Sequence, residues 1–565
     1  MPLSHLIYGQ NDTPPAGINF FLGFQHVCII AISFIFPVLL VREAGGTEEQ
    51  ATFMVSMSML AGAVGVVAQA LRRGPVGSGY LCPQVCGPSY ISSSILAAHV
   101  GGLPLVFGMT AFAGVFEAFF SRILSRLRPL FPTEVTGLIV AMVGITVVKL
   151  AGKNFLGLGM GQGQIHGPTL AVALACLACM IGFNVWTKGR LKLFCILIGM
   201  ITGYAASFAT GLLTWEQIEF AAARPLVWMP LALHPGWAFD LALVPPIIIA
   251  VICSSLKSVG DLTTCQKTND SGWVRPDMDN IKKGILADAV GCFSAGVLGG
   301  MGQSTSSTNV GLSIATGATS RVIALSTGSI LAVLAFCPKL TALFAVMPEA
   351  VVGATLIFAL SFMVVAGMQI IMSRMIDARK TFVIGVSMLF GLLVDMMPEQ
   401  FAALPSAIQP IFCSSLSAST IIAIVMNLIM RIGIRKTATL EVNPDVRLSE
   451  QVFNFLHKQG SAWGARPEII HRASSAATEY LEALAQFDAG PASLAASFDE
   501  FNLNLAIRHT GSPAIVDGTL LYIEDILDDP DAFRRMAGTM VCTYADKLAI
   551  SESGRETVVS IHLDH

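Results

Sequence analysis

"GGMGQSTSSTNVGLSIATG", residues 299–317, separates two strongly apolar runs with a stretch of glycine, serine and threonine. Glycine and small hydroxyl residues are poor interior helix formers, because they waste backbone entropy or compete for backbone hydrogen bonds. The segment therefore reads as a short extended piece leading into a half-length helix. "GSGYLCPQVCGPSYISSS", residues 77–94, has the same texture. A repeat links the two: "FPTEVTGLIVAMVG" from Phe131 and "MPEAVVGATLIFAL" from Met347 share Pro-x-x-Val-x-Gly at Pro132, Val135, Gly137 and Pro348, Val351, Gly353, an offset of 216 residues. Applied to the first broken segment, that offset lands on the second.

The surrounding chain explains where such breaks can sit. Its 565 residues have a mean hydropathy of +0.68, are 54% hydrophobic and only 13% charged, which is too apolar for a soluble protein of this size. Twelve apolar runs of spanning length occur near 17–41, 51–71, 103–124, 134–150, 168–187, 191–212, 241–262, 284–300, 322–344, 349–371, 380–397 and 411–431. With the two broken segments they predict fourteen spans in two halves, about 17–212 and 241–431. Seven is odd, so the halves have opposite orientation, the pattern of an inverted repeat. Lysine and arginine agree: with the N-terminus inside, nineteen fall on inner loops and five, Arg42, Lys149, Lys153, Arg224 and Lys339, on outer loops. The first apolar run is long enough to remain as a span rather than serve as a signal peptide.

A net charge of −3 gives no hint of a nucleic-acid partner. Most of the twelve cysteines lie in apolar runs, and Cys176 and Cys179 in "CLAC" are expected to pack rather than to bind metal or form disulfides. No metal-ligand spacing, catalytic constellation or cofactor motif emerges; "GLGMGQGQ" (157–164) precedes no strand-turn-helix unit and reads as an outer loop. Beyond residue 436 the composition becomes charged and mixed, which predicts a separate α+β cytoplasmic domain over 437–565 behind a membrane domain over 1–436. There "SSAATEYLEALAQF" (474–487) has helical periodicity, while "FDEFNLNLAIRH" (498–509) and "TVVSIHLDH" (557–565) read as strands.

Two broken spans at symmetric positions point to a binding site, because half-helix N-termini offer free N–H groups and positive dipole ends to carbonyl oxygens or anions. Opposite them, "VICSSLKSVGDLTTC" (251–265) carries Lys257 and Asp261 one helical turn apart. Lys257 admits three readings: a substrate ligand, an internal ion pair with Asp261, or a cation turned to a cytoplasmic cavity. Asp261 is the leading candidate for a proton-coupling group and Glu117, inside the fourth span, the second.

These segments resemble the nucleobase-ascorbate transporters, also called nucleobase-cation-symport-2 or xanthine/uracil permeases, from about Gly17 to Arg435. "TNVGLSIATG" resembles the family signature, with Asn309, Gly311, Thr316 and Gly317 in place; "FQHV" resembles the first-span Gln-His motif through Gln25 and His26. "GSGYLCPQVCGPSY" is similar to the third-span motif and implies Ser89 and Tyr90 at the pocket wall, and "LKSVGD" resembles the eighth-span Glu-x-x-Gly-Asp/His motif through Gly260 and Asp261. The resemblance implies substrate contacts from Lys257, Asp261, Tyr90, Ser89, Thr308, Ser307 and His26, with Gln25, Gly260, Asn309, Gly311 and Thr316 shaping the site. It further implies core and gate domains, elevator movement, proton-coupled uptake of an oxidised purine such as xanthine or urate, or of uracil, and a homodimer in a bacterial inner (plasma) membrane with both termini cytoplasmic. An organic or inorganic anion transporter on the same fold, and a non-transporting sensor, are the alternatives. Two positions depart from the pattern: Lys257 replaces the family's glutamate and Thr308 its glutamine or glutamate. An ammonium only donates hydrogen bonds, so this exchange reverses the polarity of one site residue. The tail resembles, distantly, a degenerate ATPase domain of the histidine-kinase type without its glycine-rich lid, and is expected to regulate or assemble.

Overall fold

The computed structural model describes residues 6–127, 132–158, 163–187, 194–228, 234–270, 273, 276–372, 376–405, 412, 414–433, 436–442, 447–485, 492–499, 502–510, 532–553 and 556–564. Arg128, Lys188, Arg190, Lys192, Arg275, Arg374 and Arg435, which carry part of the charge asymmetry, lie outside these residues, as do 159–162 of "GLGMGQGQ" and 511–531. The chain divides into two compact units, Met1–Asn427 and Leu428–His565.

The first unit opens with α1 (Ala16–Glu43) and α2 (Glu48–Ala70). Thr47 caps α2 in a reciprocal box with Gln50. Strand β1 (Gln84–Cys86) follows, then α3 (Ile91–Leu127). The chain leaves helical geometry at Gly101 and at Gly102, whose φ of +67° suits glycine, and Pro104 opens the second stretch. The broken segment and the span expected near 103–124 are thus two helical stretches that meet at this glycine break. After α4 (Glu134–Leu156), α5 (Gly167–Trp186), α6 (Cys195–Ala209) and the short α7 (Trp215–Ala223) comes α8 (Val244–Asn269), opened by Pro245 and Pro246. α8 continues past the predicted end at 262 because the polar turns after it, Thr263 to Asn269, still satisfy their own backbone. Lys257 lies within this helix.

α9 (Met278–Leu298) leads to β2 (Gln303–Thr305) and the ten-residue α10 (Ser307–Thr316). The predicted span 322–344 is a pair of helices, α11 (Arg321–Ala335) and α12 (Pro338–Ala345), bent by 83°. α13 (Glu349–Ile371), α14 (Ala378–Met396), α15 (Pro398–Ala402) and α16 (Ser415–Met430) complete the unit. Among the described residues, seven helices are long and apolar enough to cross a membrane, or eight if the bent pair counts as one.

The repeated Pro-x-x-Val-x-Gly motif has a packing role. A Cβ on Gly137 would meet the backbone of Gly367 and Ile371 at 2.9 and 2.8 Å, and one on Gly353 would meet the nitrogen of Phe155 at 2.3 Å. The start of each helix lies against the end of the other, so α4 and α13 cross antiparallel with a motif glycine at each end. Elsewhere α9 packs on α3 as α11 does on α2, and α8 on α3 as α1 does on α11. Cys176 is buried with its Sγ 3.1 Å from the Gly199 carbonyl.

The second unit has a five-stranded antiparallel sheet in the order β3-β4-β5-β7-β6: β3 (Lys436–Glu441), β4 (Ser493–Phe498), β5 (Asn502–Thr510), β6 (Lys547–Ser553) and β7 (Glu556–Asp564). Helices α17 (Leu448–Trp463) and α18 (Pro467–Ala485) fall between β3 and β4, and α19 (Ala532–Tyr544) precedes β6. β5 alternates, burying Leu503, Leu505, Ile507 and His509. These side chains share a core with Val452, Leu456, Ile470 and Tyr480 of the helices.

Candidate functional site

The two broken segments meet through their strands. β1 and β2 pair antiparallel, Gln84 opposite Thr305, Val85 opposite Ser304 and Cys86 opposite Gln303, and every residue of both is buried. Gly87 N donates to Gly302 O at 2.8 Å and Ser306 N to Pro83 O at 2.9 Å, extending the ladder at both ends. Each segment thereby satisfies the backbone that the other leaves bare, as the bilayer interior requires. Ser306 caps α10, its Oγ accepting from Asn309 N at 3.3 Å and Asn309 Nδ2 at 2.9 Å. Asn309 Oδ1 is left to accept from His26 Nδ1 at 2.8 Å. The amide oxygen only accepts, so His26 carries its proton on Nδ1 in this bond. Asn309 thus joins α10 to α1.

A polar chain runs behind this ladder. Lys257 is 6% exposed; its Nζ donates to the Thr305 carbonyl and to Ser304 Oγ at 3.4 Å, with Asp261 Oδ2 at 3.8 Å. Asp261 Oδ2 also accepts from Thr305 Oγ1 at 2.6 Å, and Thr305 Oγ1 lies 3.0 Å from Ser258 Oγ. Ser258 donates to Asp288, whose other oxygen accepts from Gln84 Nε2 at 2.8 Å and Gln69 Nε2 at 3.1 Å. An ammonium has three donors, and this one has three oxygen partners. The reading of Lys257 as a cation turned to an open cytoplasmic cavity is overturned, while its ion pair with Asp261 is present.

Asp288 is the residue that sequence reasoning missed. It is wholly buried in "GILADAVG" (284–291), and a lone carboxylate in an apolar run is the same signal that singled out Glu117. Gln84 was equally unannounced: its amide is wedged where a Cβ on Gly65 or Gly291 would meet Oε1 at 1.7 or 1.9 Å.

The other expected residues fall into two groups. Ser89, Tyr90, Gln25 and Glu117 are buried. The Tyr90 ring lies against Gly87 and Gly302, within 3 Å of where a Cβ on either would sit. Glu117 accepts from Ser255 Oγ at 2.9 Å. Ser307 and Thr308, at the first turn of α10, are exposed, and a Cβ on Gly260 or Gly311 would meet nothing within 4 Å. Thr316 bonds back to Leu312 O at 2.9 Å near the end of α10, away from that first turn. A small crevice lined by Leu81, Cys265, Asn269, Val310, Ser313 and Thr319 lies further along α8 than Lys257.

Residues 17–400 match the profile of the xanthine/uracil permeases, described as a permease family. The chain belongs to that family. A putative purine permease of Clostridium perfringens is 29% identical over 433 residues, 76% of this chain and 93% of that one. The xanthine permeases XanP and XanQ of Escherichia coli are 27% and 28% identical, covering 75% and 80% of this chain and 95% and 98% of theirs. Among solved structures, the transmembrane domain of a cyanobacterium bicarbonate transporter, BicA, matches with a TM-score of 0.44 at 16% identity, over 75% of this chain and 99% of that one. The permease is an integral, multi-pass membrane transporter and not an enzyme. Its family match ends before the second unit begins.

Proposed function

We propose that the permease takes up a nucleobase, an oxidised purine such as xanthine or urate in preference to uracil, bound beside the first turn of α10. The observation that carries this reading is the meeting of the broken segments at β1–β2. It leaves Ser307 and Thr308 exposed at a helix N-terminus, and α10 packs on α8, where Gly260 leaves open space. Helix N-terminal N–H groups suit the carbonyls of an oxidised purine, and the two hydroxyls can accept from its ring N–H groups. The relatives' activity toward purines and xanthine supports the same class. An anion has less support, because the one ammonium that favours it is turned to Thr305, Ser304 and Asp261.

The larger architecture follows from the same reading: fourteen spans in a 7+7 inverted repeat, both termini cytoplasmic in a bacterial inner membrane. A core would carry the site past a dimeric gate by an elevator movement. The antiparallel α4–α13 crossing at the motif glycines supports the inversion. Proton coupling is proposed through buried carboxylates, with Asp288 joining Glu117 as candidates now that Lys257 holds Asp261. The second unit is proposed as a cytoplasmic regulatory or assembly module. Uptake of labelled xanthine, urate and uracil into vesicles, with and without a pH gradient, tests substrate and coupling together. Xanthine or urate should enter fastest and slow when the gradient collapses. A Lys257→Glu variant with an unchanged substrate order supports the internal role of Lys257; a shift toward uracil would place the ammonium on the ligand.

A further inference from the structure

Lys257 occupies a nest of oxygens that has the composition of a monovalent-cation site. It contains the Thr305 main-chain carbonyl, Ser304 Oγ at 3.4 Å and Asp261 Oδ2 at 3.8 Å. The nest is built rather than incidental. Thr305 Oγ1 fixes Asp261 Oδ2 at 2.6 Å, Ser258 Oγ fixes Thr305 at 3.0 Å, and all five residues are buried. Transporters hold sodium at membrane depth on the unwound backbone carbonyls of interrupted helices, and this nest adds a carboxylate and a hydroxyl to such a carbonyl. Here the cation in that position belongs to the chain.

We propose that Lys257 is a tethered counter-cation: its ammonium fills a cation position between α8 and β2, so the transport cycle needs no free sodium or potassium ion. A buried carboxylate needs a proton, a free ion or a fixed cation beside it. A free ion must be desolvated and captured in every cycle, whereas a side chain is desolvated once, on folding. The same ammonium satisfies the Thr305 carbonyl, so it holds β2 to α8 whether or not ligand is bound. Removing it leaves Asp261 and that carbonyl around an unfilled space large enough for a small cation. The inference goes beyond the uptake reading and rests on it only for the transport measurement.

The test uses the full-length permease and its Lys257→Ala variant, in chloride salts of choline, potassium, sodium and methylammonium at equal ionic strength. Two quantities are read: melting temperature in detergent without substrate, and xanthine uptake into vesicles. The parent should give the same values in all four salts. The variant should lose about tenfold or more of its uptake in choline, with a lowered melting temperature, since an uncompensated buried charge is costly. Sodium or methylammonium should restore both, uptake by severalfold. Equal impairment in every salt, no impairment in choline, or a sodium requirement in the parent would each overturn the proposal. A Lys257→Ala/Asp261→Asn variant guards against simple misfolding: with both charges gone it should fold and melt alike in all salts. If it folds while the single variant folds in none of them, the proposal fails too. A salt response of the melting temperature without xanthine uptake by the parent would instead count against the nucleobase reading alone.

Discussion

Asp288 shows what a single carboxylate can organise. Two glutamine amides and the Ser258 hydroxyl address it from α2, β1 and α8, so removing its oxygens takes an acceptor from three buried donors, of which Ser258 can turn to Thr305 Oγ1 and Gln69 keeps the Gly284 carbonyl. Asp288→Leu is expected to destabilise the permease by about 3 kcal/mol or more, and Asp288→Asn by less, measured as melting temperature in detergent. The His26–Asn309 bond is a pairwise contact, and a double-mutant cycle of the two alanine variants should return a coupling of about 1 kcal/mol. At this scale the sequence betrays polar groups inside apolar runs, which is how Lys257, Asp261, His26 and Asn309 could be named. It does not betray direction. That Lys257 turns inward, and that Tyr90 packs against Gly302 as well as Gly87, depends on backbone from distant positions.

Helices and strands were legible in kind but not in their joints. Glycine, serine and threonine announced the two half-length segments, and the offset of 216 residues matched them. The 83° bend between α11 and α12 and the extra turns of α8 were hidden, because local composition at those points is compatible with a straight or a shorter helix. The slot between Gly65 and Gly291 is likewise a property of two helices at once. A methyl group on Gly291 would stand 1.9 Å from Gln84 Oε1, forcing the amide away from Asp288. Gly291→Ala should therefore cost about 1–3 kcal/mol and reduce uptake severalfold. Gly385→Ala, on α14 where a Cβ meets nothing within 4 Å, should match the parent in both measurements.

The compact units divide between Asn427 and Leu428. The second unit has its own core and a buried histidine. His509 is 2% exposed and bonds Tyr480 Oη at 3.0 Å; burial holds its pKa below the ordinary 6.5, so the folded unit favours neutral imidazole. The unfolded chain binds the proton more readily, so stability is fully present above 6.5 and is lost as pH falls below it. The melting temperature of this unit should drop as the pH falls below 6.5, and a His509→Asn variant should flatten that slope. If the second unit is the regulatory or assembly module proposed above, truncation after residue 436 should leave uptake of the proposed substrate intact; loss of uptake in a well-folded truncated chain would make the tail part of the transport machinery.

The β1–β2 ladder also sets a timetable for biosynthesis. Gln84 leaves the ribosome about 220 residues before Gln303, so at a synthesis rate of about 5–20 residues per second β1 waits roughly 10–40 s for its partner strand. Throughout that interval its main-chain donors and acceptors are inside or beside the bilayer without the bonds that will finally hold them. A chain stalled before β2 lacks the partner that β1 has in the finished fold, and is expected to be cleared faster by membrane proteases than the full-length chain.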